Sequence, residues 1–460
     1  MTRAREEHHR VPSYCVVGGG ISGLVAAYRL RVAAGPDASI TLLDPADRLG
    51  GVLRTERVGG QPMDVGAEAF VARRPEVPAL LAELGLADRQ IGTTGARPLI
   101  YSQARLHPLP VGTLQGIPAQ ASALAGLVDD ATLARIHAER QRPLSWRPGA
   151  DPSVAELIGD RFGEQVVTRS VEPLLAGVYA GSAATIGVRA AVPALTAVLD
   201  RGAPSLTDAV REALPPAVSG SVFGAVDGGY AVLVEELVRR AGVRWRQVTA
   251  ESVHPAPHGW EVVDDEGARH HAGALVLAVP APRLARLIAD VAPRAAAAAR
   301  RIPVASTALV ALALPGGTPL PRQSGVLVAS GERLRSKAVT LSSRKWGPRG
   351  NVELVRLSFG RFGDDLARSA GDEELLTWSA QDLATLFGVR TEPVDCHVQR
   401  WIDAMPQYGP GHGQLVAELR AGLPPTIAVA GGFLDGIGVP ACVTAATRAA
   451  ASLVTPRVAR

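Results

Sequence analysis

The sequence predicts an α/β fold assembled from separate stretches of chain, and three observations carry that prediction. The first is an apolar strand at 14–17 that runs into a glycine turn at 18–23 and then into a helical pattern. The second is the run at 274–280, whose continuous apolar character is typical of a parallel strand covered on both faces. The third is a strand at 426–432, followed by a glycine loop and an alanine-rich helix. We expect the three stretches to share one sheet.

The first glycine turn has the spacing Gly18-x-Gly20-x-x-Gly23. Glycines at this spacing let the backbone turn tightly and approach a pyrophosphate, whose charge is stabilised at the N-terminus of the following helix. A second apolar strand at 40–43 ends in Asp44, about 20 residues further on, where a carboxylate can accept from a ribose hydroxyl. Strand, turn, helix, strand and acid together predict a dinucleotide site.

Further glycine turns favour FAD over a nicotinamide cofactor. Gly50 and Gly51 form a second turn just past the acid, and the turn at 64–68 is expected near the flavin ring and the ribityl chain. The loop at 435–440 precedes a helix that begins near Val439. The positive end of that helix would face the N1/C2 edge of the ring and favour hydride acceptance at N5. The alternative is an ordinary strand–turn–helix.

The length and the cysteine content limit how the chain can be organised. A chain of 460 residues is long for one core, so we expect two or three domains. Cys15, Cys396 and Cys442 are an odd number at unrelated spacings, which argues against a disulfide framework and for a reducing compartment. The charged first ten residues match no secretory signal, and no apolar run is as long as a membrane span. We therefore expect a cytoplasmic protein with at most peripheral membrane contact.

The charge balance has two explanations, a genome-wide codon bias of a high-GC bacterium, which accounts for most of it, and a small anionic substrate, which is the better functional use for clustered arginines. The net charge of +4 comes from arginine, since Lys337 and Lys345 are the only lysines. A nucleic-acid partner is disfavoured, because no basic stripe interleaves with aromatic residues, which are 4% of the chain. No metal ligands and no acid–base residue are predicted.

The pattern along the chain divides it into five segments. FAD-binding parts are expected at 12–90, 221–300 and 391–460. Between them lie a helical substrate domain of the membrane-associated type at 91–220 and a substrate-binding sheet at 301–390, which closes with a helix over 372–387.

The clearest helix of the inserted part begins near residue 151. Asp151 is one candidate N-cap, and a capping box of Ser153 with Glu156 is the alternative. The helical spacing that marks its buried face is carried by Val154, Leu157, Ile158, Phe162 and Val166.

Several motifs together resemble one enzyme family. Beside GGGISGL and RLGG, the chain contains GVYAGS, Arg344-Lys345-Trp346, Met405-Pro406-Gln407-Tyr408 and AGGFLDGIGVPAC. Spread nearly end to end, these motifs resemble the oxygen-dependent porphyrinogen oxidase family, in particular its coproporphyrinogen III oxidase branch from Gram-positive bacteria and actinobacteria, once called protoporphyrinogen oxidase. The resemblance implies the fold of p-hydroxybenzoate hydroxylase and monoamine oxidase, with a discontinuous FAD lobe, a mixed-sheet substrate domain and a helical domain.

The resemblance implies a set of contacts to non-covalent FAD. At position 52 some relatives carry a tryptophan, whereas this chain has Val52. In the mid-chain strand the sequence does not fix the register, so Val248 is the alternative to Ala250. The implied cofactor residues are Gly18, Gly19, Gly20, Ile21, Ser22, Gly23, Asp44, Pro45, Gly50, Gly51, Val52, Val65, Gly66, Ala67, Glu68, Ala250, Trp401, Gly432, Ile437, Gly438 and Val439.

The resemblance also implies substrate contacts. Arg97 matches an arginine that pairs with a propionate in some relatives, and a guanidinium offers a carboxylate two parallel bonds. Gly177 would let a planar macrocycle lie close, Leu327 would line an apolar wall, and Arg344 is a further candidate cation.

Four other residues near these motifs have two possible interpretations each. Lys345 and Arg105 are either additional substrate cations or solvated surface charges. Tyr179 and Tyr408 either shape the substrate cavity or are core aromatic residues with bonded hydroxyls.

The implied reaction oxidises coproporphyrinogen III to coproporphyrin III in haem biosynthesis, with hydride transfer to flavin N5 and release of hydrogen peroxide. Four propionates on this substrate suit an arginine-rich site better than the two of protoporphyrinogen IX, which is the alternative substrate. The resemblance also allows transient contact with ferrochelatase. Two other hypotheses are an enzyme of amine oxidase or carotenoid desaturase type and a non-catalytic flavoprotein that carries porphyrins.

Overall fold

The computed structural model describes residues 11–216 and 220–454. The first ten residues, on which the expectation about a secretory signal rests, lie outside the described residues. The chain divides into two compact units: unit 1 contains the residues up to Gly51, Ala231–Arg301 and those from Val416 onward, and unit 2 contains Val52–Tyr230 and Ile302–Leu415.

The strands and helices follow in chain order. The strands are β1 Ser13–Val17, β2 Ser39–Leu43, β3 Thr55–Val58, β4 Gln61–Asp64, β5 Phe70–Val71, β6 Gln90–Gly92, β7 Leu99–Ser102, β8 Arg105–Pro108, β9 Thr113–Leu114, β10 Ile117–Pro118, β11 Phe223–Val226, β12 Arg244–Arg246, β13 Ala250–Ala256, β14 Gly259–Asp264, β15 Arg269–Ala272, β16 Ala274–Leu277, β17 Val304–Pro315, β18 Gly325–Val328, β19 Ala338–Leu341, β20 Val352–Phe359, β21 Asp395–Pro406 and β22 Ile427–Val429. The helices are α1 Ile21–Ala34, α2 Glu76–Glu83, α3 Asp130–Ala138, α4 Val154–Phe162, α5 Glu164–Val166, α6 Glu172–Tyr179, α7 Val188–Ala191, α8 Pro193–Asp200, α9 Leu206–Ala213, α10 Tyr230–Ala241, α11 Ala281–Leu287, α12 Pro293–Arg300, α13 Ser342–Lys345, α14 Leu366–Ser369, α15 Asp372–Phe387, α16 His412–Ala421 and α17 Val439–Leu453.

Unit 1 is built on a five-stranded parallel sheet with the order β12-β2-β1-β16-β22. Val16 pairs with Val276, which in turn pairs with Ala428. The three predicted stretches therefore do share one sheet, as expected. All four residues of β16 are buried, in agreement with a parallel strand covered on both faces.

Unit 2 contains a seven-stranded mixed sheet with the order β21-β17-β20-β19-β18-β7-β8. All its pairings are antiparallel except that of β18 with β7. Helix α15 spans the predicted residues 372–387, because Gly388 ends it in the left-handed conformation at φ 70°. Helices α3 to α9 pack around a separate apolar core that includes Leu157, Phe162 and Leu195.

Of the two predicted starts of helix α4, the structure has the capping box at Ser153 rather than a cap at Asp151. The Ser153 side chain accepts from the Glu156 amide, and the Glu156 side chain accepts from the Ser153 amide at 2.8 Å. The expectation that Val166 belongs to this helix was wrong, because Gly163 at φ 97° ends the helix after Phe162. Val166 is buried in the short helix α5 that follows.

The compact units have different bounds from the five predicted segments. Residues 52–90, 221–230 and 391–415 belong to unit 2, although we predicted them to be FAD-binding. A cofactor-binding segment and a compact unit need not coincide, so the five segments stay a prediction about function. Across residues 11–216 and 220–454, no helix is long and apolar enough to cross a membrane.

Candidate functional site

The first glycine turn leaves no room for side chains. Gly18 has φ 105°, and a Cβ there would lie 2.4 Å from the Ala278 carbonyl oxygen. A Cβ on Gly23 would lie 1.8 Å from the Gly18 carbonyl oxygen. Gly20 is the N-cap of α1, where no side chain caps the helix and no acidic residue lies in the first turn. The turn thus presents uncapped backbone N–H groups, which is what a pyrophosphate requires.

Asp44 lies directly at this turn. Its Oδ2 accepts from the Gly19 amide at 2.6 Å, and its Oδ1 accepts from the Ala46 amide at 2.9 Å. A carboxylate has about four acceptor positions, so the two bonds leave capacity for a ribose hydroxyl. The second glycine turn packs against the first, since the Gly50 amide donates to the Gly19 carbonyl at 2.8 Å.

The C-terminal loop lies beside the same turn within unit 1. Helix α17 packs on α1 and begins at an N-cap, Gly438, that no side chain caps. The Cys442 thiol donates to the Ile437 carbonyl at 3.8 Å and is hydrogen-bonded to the Ser22 side chain. One buried side chain therefore joins the first and the last predicted cofactor motifs. Burial raises the pKa of Cys442 to about 11, so its thiol is protonated and unreactive at neutral pH.

Unit 2 brings a second group of predicted cofactor residues together. The Ala67 amide donates to the Val52 carbonyl at 3.1 Å, and a Cβ on Gly66 would lie 1.9 Å from that same oxygen. The Trp401 indole donates to the Val65 carbonyl at 2.9 Å. Residues that are far apart in the sequence thus lie together here, and residue 66 must be glycine because a side chain would collide with the Val52 carbonyl.

Glu68 is the charged centre of this cluster. It forms ion pairs with Lys345 at 2.7 Å and Arg356 at 3.3 Å, and it accepts from the Ser342 hydroxyl at 3.0 Å. Burial alone would raise the pKa of Glu68, but the two cations outweigh burial and hold the pKa well below its usual range. Lys345 is therefore engaged by a carboxylate, and the alternative of a solvated surface charge does not describe it.

Asp64 is a titratable group that the sequence did not single out. It is 7% exposed, and its carboxylate accepts from the Thr55 hydroxyl at 2.6 Å and the Tyr230 amide at 3.0 Å. Burial raises the pKa of Asp64 to about 6, although these two bonds oppose the shift. With Glu68 it lines a cavity of about 30 Å³, which has room for water.

The other predicted cofactor residues have varied environments. Pro45 is exposed, whereas Ile21 and Val439 are buried. Ala250 is 4% exposed in β13, which belongs to another sheet of unit 1, and its carbonyl accepts from Arg283 at 2.7 Å.

Two predicted substrate residues are neighbours in unit 2. Gly177 lies on α6 and Leu327 on β18, and a Cβ on Gly177 would lie 3.4 Å from the Leu327 side chain. Gly177 and the adjacent Val178 are exposed. The two elements therefore form one open apolar surface rather than opposite walls of a slot.

The predicted substrate cations differ in their partners. Arg97 is exposed, and its guanidinium donates to the Leu109 carbonyl at 3.3 Å. Arg344 forms an ion pair with Glu353 at 3.0 Å, so its charge is already balanced. Within residues 11–216 and 220–454 no carboxylate forms an ion pair with Arg97, which makes it the better candidate for a carboxylate ligand.

Tyr179 and Tyr408 pack against each other edge to face, with ring centroids 5.7 Å apart. The Tyr179 hydroxyl donates to the Ala190 carbonyl at 3.4 Å, and burial raises its pKa. Tyr408 is 2% exposed and stacks on His412. These contacts favour the packing role over a role in lining a cavity.

The residues present fit FAD. Unit 1 provides a glycine turn with no room for Cβ atoms, a carboxylate at that turn and two uncapped helix N-termini. No group of three or more potential ligands in the described part of the chain could hold a metal ion.

Comparisons with known proteins bear on the family and the fold of the chain. The family model described as flavin containing amine oxidoreductase matches residues 21–454. A coproporphyrinogen III oxidase of Mycobacterium tuberculosis is 67% identical over 442 residues, which cover 96% of this chain and 97% of the relative. A protoporphyrinogen oxidase of Homo sapiens is 28% identical over 95% of this chain and 98% of the relative. A solved structure from an Exiguobacterium species, provisionally named a protoporphyrinogen oxidase, has a TM-score of 0.86 at 27% identity over 97% of this chain and 99% of that chain. The predicted fold class is thereby confirmed.

Proposed function

The chain belongs to the family of flavin-containing amine oxidoreductases, and from this premise we propose that it oxidises coproporphyrinogen III to coproporphyrin III with FAD and oxygen. The observation that carries the proposal is the 67% identity, over 96% of the chain, with a relative named coproporphyrinogen III oxidase. Non-covalent FAD would supply the hydride acceptor at N5. Each of three rounds removes two hydrogen atoms from the macrocycle and reduces one O2 to H2O2, so atoms and electrons balance.

The residues of unit 1 would hold the nucleotide part of the cofactor. The amides at the start of α1 would bind the pyrophosphate, and Asp44 would accept from the ribose. The N-terminus of α17, at Gly438, would favour negative charge on the reduced ring. Cys442 keeps the two motifs in register through its bonds to Ser22 and Ile437.

The residues of unit 2 would bind and orient the substrate. The open surface of Gly177, Val178 and Leu327 suits the flat apolar face of a tetrapyrrole, and Arg97 suits a propionate. We name no acid–base residue, because an electron-rich macrocycle releases its pyrrole proton readily once a hydride leaves. Catalysis would rest on orientation and electrostatics.

We further propose that the enzyme works in the cytoplasm, with at most peripheral membrane contact and transient contact with ferrochelatase. Support for a reducing compartment comes from Cys15, Cys396 and Cys442, which are all free thiols.

The proposal is tested by mixing purified protein anaerobically with coproporphyrinogen III and recording the flavin absorbance. We expect the yellow absorbance to bleach and to return when oxygen is admitted, with hydrogen peroxide formed. No bleaching would contradict the proposal, and faster turnover of protoporphyrinogen IX would contradict the substrate choice.

A substitution at Arg97 tests the proposed contact with a propionate. Arg97→Leu should raise KM for coproporphyrinogen by about 10- to 150-fold, because a charge-assisted bond contributes about 1.5–3 kcal/mol. Arg390→Leu, which removes another exposed arginine of unit 2, is the matched control and should leave KM unchanged. Equal KM values for the two variants would remove Arg97 from the substrate site.

A further inference from the structure

One carboxylate joins the helix that carries Gly177 to the strand that carries Leu327. Glu172 opens α6, and its Oε1 accepts from the Ser182 hydroxyl at 2.8 Å and from the Ala183 amide at 3.3 Å. Its Oε2 accepts from the Ser330 hydroxyl at 2.6 Å. Ser330 lies two residues past the end of β18. A single side chain thus holds the start of α6, the turn after α6 and the end of β18.

A second connection joins the other end of α6 to the same sheet. Ala180 ends the helix in the left-handed conformation at φ 51°, and its carbonyl accepts from the Phe362 amide at 2.6 Å. The neighbouring Arg361 donates to the Val328 carbonyl at 3.4 Å. Burial lowers the pKa of Arg361, but the charges of Glu172 and Asp364 oppose this shift, so the guanidinium and the Glu172 carboxylate attract each other.

The irregular turn before α6 also contacts the end of β18. Residues 167–171 form a π-helix, whose i→i+5 bonds are rare and are found mostly as short bulges at functional sites. The Ser330 amide donates to the Thr168 carbonyl at 3.2 Å, so a backbone bond already ties this turn to the residues after β18. The bond from the Ser330 hydroxyl to Glu172 adds a second link, from the first residue of α6 itself to the same position.

We propose that Glu172 is a positioning residue, which acts through Ser330 and Ser182 to keep Gly177 and Leu327 in one continuous surface for the planar substrate. This inference rests on the proposed function. The Glu172 carboxylate is engaged by Ser182, Ala183 and Ser330, so it would act through these partners rather than on a reacting atom. Since a surface of this kind contacts substrate and transition state alike, loosening it should raise KM and leave kcat nearly unchanged.

The test measures steady-state kinetics of coproporphyrinogen oxidation for Glu172→Gln and Ser330→Ala. Charge-assisted hydrogen bonds are roughly twice as strong as neutral ones. We expect Glu172→Gln to raise KM about tenfold, which corresponds to about 1.4 kcal/mol, with kcat within about twofold of the wild type. Ser330→Ala should raise KM in the same way, and Ser330→Thr, which keeps the hydroxyl, should restore it.

The matched control is Glu156→Gln. Glu156 also caps a helix in the same part of unit 2, through its bond to the Ser153 amide, but it has no recorded bond to the sheet among the described residues. It should lower the thermal midpoint without changing KM. If Glu172→Gln lowers the thermal midpoint but leaves KM at the wild-type value, Glu172 is merely structural and the inference fails.

A binding measurement separates this inference from the proposed function. Fluorescence titration with coproporphyrin III reports affinity without turnover. Wild-type protein that is inactive with coproporphyrinogen would overturn the proposed function, yet weaker porphyrin binding by Glu172→Gln than by Glu156→Gln would still support the positioning role. Equal porphyrin affinity of the two variants would overturn it.

Discussion

Lys337 offers the sharpest test of the physical reasoning, since it is one of only two lysines in the chain and is 4% exposed. Its ammonium group donates to the Gly360 carbonyl at 2.6 Å. Burial lowers the pKa of Lys337 to about 7, and the charge of Arg361 adds to the shift while Asp364 opposes it. In the unfolded chain the same group has its ordinary pKa of 10.5.

The direction of the effect follows from proton binding. Between pH 7 and about 10.5 the unfolded chain holds the Lys337 proton and the folded protein does not, so protonation favours unfolding as the pH falls. The stability contributed by the neutral amine is therefore fully present above pH 10.5 and is lost as the pH falls towards 7. With one pKa unit equal to about 1.4 kcal/mol, this one group should lower the free energy of unfolding by about 2 kcal/mol between pH 9 and pH 7.

The assay is urea unfolding of the wild type and of Lys337→Met at pH 7, 8 and 9. The wild type should lose about 2 kcal/mol more stability than the variant as the pH falls from 9 to 7. Loss of the bond to Gly360 costs the variant a constant amount, which cancels in this comparison. The matched variant Lys337→Arg stays charged throughout and should show the same pH dependence as Lys337→Met, at lower stability. Parallel pH profiles for wild type and Lys337→Met would show that burial does not lower the pKa of Lys337.

Three further substitutions test other parts of the structure. Ser153→Ala removes a helix cap and should cost about 1 kcal/mol in urea unfolding, with an unchanged m-value as the check that only stability has changed. Gly23→Ala forces a Cβ to within 1.8 Å of the Gly18 carbonyl oxygen, so the purified protein should carry less flavin, measured as the flavin absorbance per protein. Full flavin content in this variant would contradict the assignment of the glycine turn to the cofactor. Glu139→Gln leaves the buried Arg161 without its carboxylate at 2.6 Å and should lower the free energy of unfolding by about 3–5 kcal/mol, whereas a loss below 1 kcal/mol would place that pair in solvent.

Local patterns were sufficient for much of the fold. The helix over 372–387 was predicted at both ends, and in the structure acidic residues fill its first turn and Gly388 ends it. The mid-chain strand was predicted because a continuous apolar run is typical of a parallel strand with both faces buried. The helix at 154–162 was predicted with its capping box as one of two starts, and only the placement of Val166 was wrong.

The residues of the candidate site were predicted on two different grounds, a local motif for some and a family resemblance for others. The glycine turn and Asp44 are close in sequence and have a fixed spacing, so a motif reveals them. The roles assigned to Gly177 and Leu327 came from resemblance, and they remain predictions, although the structure makes the two residues neighbours. Arg344 was expected to meet substrate, and nothing in its sequence context shows that Glu353 balances its charge.

Neighbouring residues and their spacing are enough to predict where the backbone turns, which strands are buried and which family the chain resembles. The burial of a charge and the partner that balances it depend instead on the folded chain. Glu172 meets Ser330 across 158 residues and Asp64 meets Tyr230 across 166, so no local pattern reports either contact. The energy of a buried charge depends on its surroundings in three dimensions, and the pKa of Lys337 is therefore a property of the folded chain alone.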